Sequence, residues 1–84
     1  MKVIVYTKPN GHCPSCEWVK TQFRNAGVAY IEESINEDVL ELARERGFRS
    51  APVVVAMVPG GGLIEFCGRD QAGVDKVVSA SEVG

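Results

Sequence analysis

The chain opens on Lys2-Val3-Ile4-Val5-Tyr6, passes through Thr7-Lys8-Pro9-Asn10-Gly11-His12, and reaches Cys13-Pro14-Ser15-Cys16 ahead of a longer amphipathic stretch. The first run is rich in β-branched residues and reads as a strand over Lys2 to Tyr6. Pro9 and Gly11 punctuate a loop from Thr7 to His12. Pro14 suits the first position of a helix, because its missing N–H would have no helical partner there. Cys16, Val19, Phe23 and Ala26 then recur at helical spacing, and Gly27 supplies a stop. Two thiols at this spacing on a helix start can cycle between dithiol and disulfide. The helix N-terminus favours thiolate over thiol, which marks Cys13 as the nucleophile.

Working outward, Val28 to Glu32 reads as a second strand. Asn36 caps a helix that runs to about Arg46, with Glu37 and Asp38 in its first turn and Arg44 and Arg46 in its last, as the dipole prefers. Ile35 and Leu40 have the spacing of a hydrophobic staple, and Gly47 ends the helix. Val53 to Val58 is unbroken and apolar, the pattern of a strand covered on both faces. Pro59-Gly60-Gly61-Gly62 turns the chain, and Leu63 to Cys67 returns antiparallel. The glycine run is no phosphate loop, since neither a Lys-Ser/Thr pair nor a helix follows it. Asp70 can cap a last helix with Val74, Val77 and Val78 on one side, leaving Ser79 to Gly84 as a fraying tail. The order is β-α-β-α-β-β-α. The opening β-α-β unit calls for a parallel pair with a right-handed crossover, and the later hairpin adds antiparallel strands.

Composition narrows the function. At 84 residues the chain has room for one domain, residues 1-84, burying roughly 60–65% of its unfolded surface. Apolar residues make up 45% and charged ones 24%, as in an ordinary globular protein. A net charge of −2 with scattered cations argues against nucleic acid as a partner. Lys8, Lys20 and Arg24 read as a solvated face, and so do Arg44, Arg46 and Arg49. No stretch reaches the length of a membrane span, and the N-terminal apolar run is too short for a signal segment. Three cysteines are too few for a secreted disulfide scaffold. A monomer in a reducing compartment, the cytoplasm, is expected.

The chemistry gathers at Cys13. At the helix cap its sulfur can accept from free backbone N–H groups, while Cys16, one turn on, faces inward. That asymmetry suits a two-step exchange. Cys13 attacks a substrate disulfide, and Cys16 then resolves the mixed disulfide. A zinc or iron–sulfur role through Cys13, with His12 as a further ligand, is the competing reading. A closed structural site needs four ligands, however, and no second CxxC or HxxxH exists. No metal is expected. Ala51-Pro52, ahead of the third strand, reads either as a plain turn or as a cis bond that would present backbone to a bound peptide. Gly68 either makes a strand-to-helix turn or leaves space for a substrate chain. His12 is either a proton shuttle or an exposed loop residue. Cys67 either packs as a small hydrophobe or reacts as a third thiol. Trp18, off the apolar stripe, either covers its helix or meets a partner protein.

Taken together, these residues resemble the glutaredoxin-like redoxins of the thioredoxin superfamily, and most closely the NrdH-type redoxins. Val5-Tyr6-Thr7-Lys8-Pro9 is similar to that group's first strand and loop. Gly47-Phe48-Arg49-Ser50-Ala51-Pro52-Val53-Val54-Val55 is similar to its Gly-aromatic-x-x-Ala-Pro-Val-Val segment. The resemblance implies a thioredoxin fold, a four-stranded mixed sheet flanked by three helices. It implies a redox-active disulfide between Cys13 and Cys16, no bound cofactor, and Pro52 as a cis proline. Pro14, Ser15, Ala51, Pro52, Gly68 and Asp70 become the expected substrate-binding residues. Reduction by an NADPH-dependent thioredoxin reductase and electron donation to a ribonucleotide reductase follow from the resemblance alone.

The chain also departs from the NrdH-type pattern. Asn10-Gly11-His12 lengthens the loop before Cys13, and Pro14-Ser15 resembles the glutaredoxin dipeptide Pro-Tyr. The group's Trp near the last helix is missing from Phe66-Cys67-Gly68-Arg69-Asp70. Asp70 falls where glutathione-binding glutaredoxins place an acid, although a plain helix cap is the preferred reading of it. Glutathione is therefore the alternative reductant.

Overall fold

The computed structural model describes residues 1–83. Gly84, the last residue of the expected tail, lies outside them. Seven elements follow in the expected order: β1 (Lys2–Thr7), α1 (Pro14–Asn25), β2 (Ile31–Ser34), α2 (Glu37–Arg46), β3 (Val53–Val58), β4 (Gly62–Cys67) and α3 (Gln71–Val83). The strands form one mixed sheet in the order β2-β1-β3-β4, with β2 parallel to β1 and the other pairs antiparallel.

The alternation of side chains along a strand divides the core. Val3 and Val5 of β1 stand beside Ala56 and Val54 of β3, and Val54 stands beside Phe66 of β4. This face is closed by Val19 and Phe23 of α1 and by Val74 and Val77 of α3. The opposite face carries Tyr6 and Val53, and α2 covers it with Val39 and Ala43, joined by Ile35 and Phe48. Cover on this side is incomplete. Val53 is buried, but Met57, further along the same face, is 42% exposed. The expectation that β3 is buried on both faces therefore holds only at the end nearest Pro52, because a ten-residue helix is too short to shield the whole strand.

Capping fixes where the helices sit. Asn36 Oδ1 accepts the Val39 N–H at 2.9 Å, and Asp70 Oδ1 accepts the Gly73 N–H at 3.0 Å. Gly47 ends α2 in the left-handed region at φ 74°, its N–H donating to Ala43 and Arg44 carbonyls. Leu40, expected to staple the start of α2, stays 46% exposed.

Four expectations need correction. The second strand covers Ile31–Ser34 rather than Val28 to Glu32. Val28 is buried but belongs to the approach, where its N–H donates to the Phe23 carbonyl at 2.9 Å. β2 is an exposed edge strand carrying Glu32 and Glu33, so the apolar signal pointed to the wrong residues. Ala26 is exposed at the C-cap, one step past the buried stripe. Residues 79–83 continue α3 instead of fraying. Lys20 is buried, where a solvated face was expected. Its ammonium reaches Glu17 at 2.6 Å and Glu32 at 3.1 Å, tying α1 to the edge strand.

Candidate active site

The loop after β1 delivers Cys13 to the start of α1. Cys13 is the N-cap residue, Pro14 follows at the first helical position, and the Cys13 Sγ accepts the Cys16 N–H at 3.3 Å. A sulfur at this position takes one of the free amide donors of the helix start. Cys13 and Cys16 are joined by a disulfide with Cα atoms 5.3 Å apart. Their surroundings differ sharply. Cys13 is half-buried, whereas Cys16 is 2% exposed and packed beneath the helix.

A cavity of about 300 Å³ opens beside the disulfide. Its walls are His12, Cys13, Pro14 and Ser15 on one side, and Arg49, Ser50 and Ala51 on the other, with Lys8 from the first loop. Sequence separation hides this pairing. β1 and β3 are central neighbours in the sheet, so the segment entering β3 lies against the loop leaving β1. The Ala51–Pro52 bond is cis, and Pro52 is buried under the site.

Gly68 and Asp70 do not line this cavity. Gly68 is buried, donates its N–H to the Pro52 carbonyl at 3.0 Å, and has φ +65°. A Cβ there would stand 3.1 Å from Ser50 Cβ, so the positive φ and the close approach of the Ser50 side chain explain the glycine. Asp70 uses its carboxylate on the start of α3. Cys67 is a half-buried free thiol opposite Val53, on the sheet face that α2 covers. Trp18 packs at the core edge, and the Arg69 guanidinium lies 6.0 Å from its ring centre. That cation–π contact joins α1 to the turn before α3. Among the described residues, no three of His, Cys, Asp and Glu gather as a metal site would require.

Lys8, Arg49 and Ser50 were not singled out by sequence. Both cations read as scattered surface charge, and only the fold brings them to the disulfide. The one available signal was position, since Lys8 follows the first strand and Arg49 precedes Ala51-Pro52.

The glutaredoxin family model matches residues 3–58, which span Cys13, Cys16, Ala51 and Pro52. Among solved structures, the chain is similar to NrdH-redoxin from Escherichia coli, described as a glutaredoxin-like protein with a thioredoxin-like activity profile. The match has a TM-score of 0.71 at 24% identity and covers 92% of this chain and 95% of that one. It carries the expected thioredoxin fold. No curated protein matches the sequence significantly.

Proposed function

The chain belongs to the glutaredoxin family of thiol–disulfide oxidoreductases, and from that premise we propose that it reduces protein disulfides with Cys13 as nucleophile and Cys16 as resolving thiol. The observation that carries this assignment is the contrast between a half-exposed Cys13 at the helix cap and a Cys16 that is 2% exposed. In the reduced protein the Cys13 thiolate attacks one sulfur of a substrate disulfide. A Cys13–substrate bond forms, and the other substrate sulfur leaves as a thiolate. Cys16 then gives up its proton and attacks the Cys13 Sγ. The Cys13–Cys16 bond forms, and the second substrate sulfur leaves and is protonated. The first substrate thiolate takes its proton from water, which had received the one lost by Cys13, so that two electrons and, in net, two protons pass to the substrate. Burial keeps Cys16 from meeting substrate first, and the Cys16 N–H is already aimed at the Cys13 sulfur.

In this reading Pro14, Ser15 and Ala51 form the contact surface for substrate, supported by their place around the cavity. Pro52 and Gly68 act beneath it by holding its backbone. The proposed electron source is an NADPH-dependent thioredoxin reductase, and the proposed recipient is a ribonucleotide reductase, in the cytoplasm. The Gly47 to Val55 segment, with Ala51 ahead of Pro52, resembles that of NrdH-type redoxins and supports this reductant over glutathione, while Asp70 spends one carboxylate oxygen on the start of α3. Glutathione stands as the second reading because Lys8 and Arg49 offer two cations to its carboxylates beside Cys13. The test compares NADPH oxidation in the presence of thioredoxin reductase with that in the presence of glutathione and glutathione reductase, both with an insulin disulfide as substrate. The proposal expects turnover in the first system at least tenfold above the second. The reverse order would overturn it in favour of glutathione.

A further inference from the structure

A second cavity, of about 370 Å³, adjoins the one at Cys13 and shares Lys8, Arg49, Ser50 and Ala51 with it. Its floor is apolar, made by Ile35, Leu40, Ala43, Phe48 and Val53. Its lining contains no acid, and Lys8 and Arg49 stand on the rim shared with the redox centre. Beyond Leu40 the surface of α2 carries Glu37, Glu41 and Arg44. Cations alone thus border the groove toward Cys13, while the far side, beyond Leu40, carries both signs of charge. Leu40 stays 46% exposed, a large apolar side chain that its own chain covers only in part.

We propose that this groove is the docking subsite for an apolar side chain of the substrate segment, one that carries an acidic residue beside its reacting cysteine. The proposal rests on the disulfide-reductase reading and specifies which substrates that site prefers. Continuity is the first reason. A protein whose disulfide reaches the Cys13 sulfur must lie over the shared rim, and an extended chain at roughly 3.3 Å per residue crosses it in about two to four residues. Charge is the second. An acidic side chain near the cysteine meets Lys8 and Arg49, whereas a basic one meets only like charge. The third is area, because an apolar side chain that leaves water in the groove covers Leu40 and Phe48 as well as itself.

The experiment uses the full chain, reduced with dithiothreitol and desalted, in single-turnover mixing with defined disulfides. Two electrons come from the protein dithiol, so no reductase is needed. The probes are the symmetric disulfides of acetyl-Cys-Glu-Ala-Leu-amide and acetyl-Leu-Ala-Glu-Cys-amide, their Leu-to-Ala and Glu-to-Lys versions, and bis(2-hydroxyethyl) disulfide as a small control. At least one Leu peptide should react about tenfold faster than its Ala version. Its Lys version should be slower still. Leu40→Gln, at an exposed position, should raise the half-saturating concentration of that peptide about fivefold. The same variant should leave the rate with the small control unchanged. Equal rates for the Leu and Ala versions of both peptides would overturn the groove, and so would an equal loss toward the small control in Leu40→Gln. Failure of the unaltered protein to reduce even the small control would instead overturn the redox reading on which the groove depends.

Discussion

Lys20 is the residue whose setting departs most from its sequence context. Its ammonium donates to Glu17 and to Glu32, and Glu32 also accepts from the Thr7 hydroxyl at 3.4 Å. The hydrogen bond to Glu17 is the main reason that the Lys20 pKa stands above its usual 10.5, outweighing burial, with Glu32 adding to it. The same bond holds the Glu17 carboxyl below its usual 4.5. The signs follow from linkage. The Glu17 contribution is present above pH 4.5 and is lost as pH falls through the folded value. The Lys20 contribution is present below pH 10.5 and is lost as pH rises through the folded value. Urea midpoints of the natural chain and of Lys20→Met should therefore differ near neutrality and converge at both extremes of pH. A constant difference across pH would show that only packing was lost. Single-residue roles were legible where local chemistry set them. Cys13, Pro14, Asn36 and Asp70 act within their own turn: Asn36 and Asp70 cap as their type prefers, Pro14 takes the first helical position, and Cys13 sets its sulfur on a free amide of the helix start. Lys8, Lys20 and Arg49 were not legible, because the Glu32 paired with Lys20 lies on β2 and Lys8 and Arg49 meet Cys13 only through the fold, and a lone cation carries no mark of what the fold brings to it.

Among the elements, α3 against β4 sets the tightest limit on sequence. A methyl group on Gly73 would stand 2.5 Å from Phe66 Cγ and 2.6 Å from Cδ2. Phe66 is 3% exposed, so its ring has nowhere to swing. Helix propensity alone would make Gly73→Ala stabilising by up to about 1 kcal/mol. Overpacking should win and lower stability by about 1–3 kcal/mol, read as a reduced urea midpoint with an unchanged slope. A higher midpoint would mean that α3 can lift from the sheet without loss. The elements that sequence placed well, β1, α1, α2 and β3, each combine an apolar run or stripe with a cap or a turn. β2 was misplaced because an edge strand needs no apolar face. The end of α3 was missed because Ser79, Ala80 and Ser81 carry little periodicity, while the helix extends with Val78 half-buried against the core.

In the whole molecule, the sheet order β2-β1-β3-β4 joins two distant segments into one redox centre. The loop leaving β1 brings Cys13, and the turn entering β3 brings Ser50 and Ala51 to the same cavity. Helices on both faces hold those segments, and the incomplete cover by α2 leaves the apolar groove open beside them. The β-α-β-α-β-β-α order was readable from periodicity. The meeting of Lys8, Arg49 and Cys13 was not, since it depends on strand neighbours rather than on any local pattern. The central claim is that Cys13 attacks and Cys16 resolves. Its most direct test is Cys16→Ser, reduced, mixed with a peptide disulfide and analysed by intact mass and peptide mapping. The account predicts a stable one-to-one mixed disulfide on Cys13, and no such adduct with Cys13→Ser. An adduct carried on Cys67, or full peptide reduction by Cys16→Ser at the unaltered rate, would contradict it.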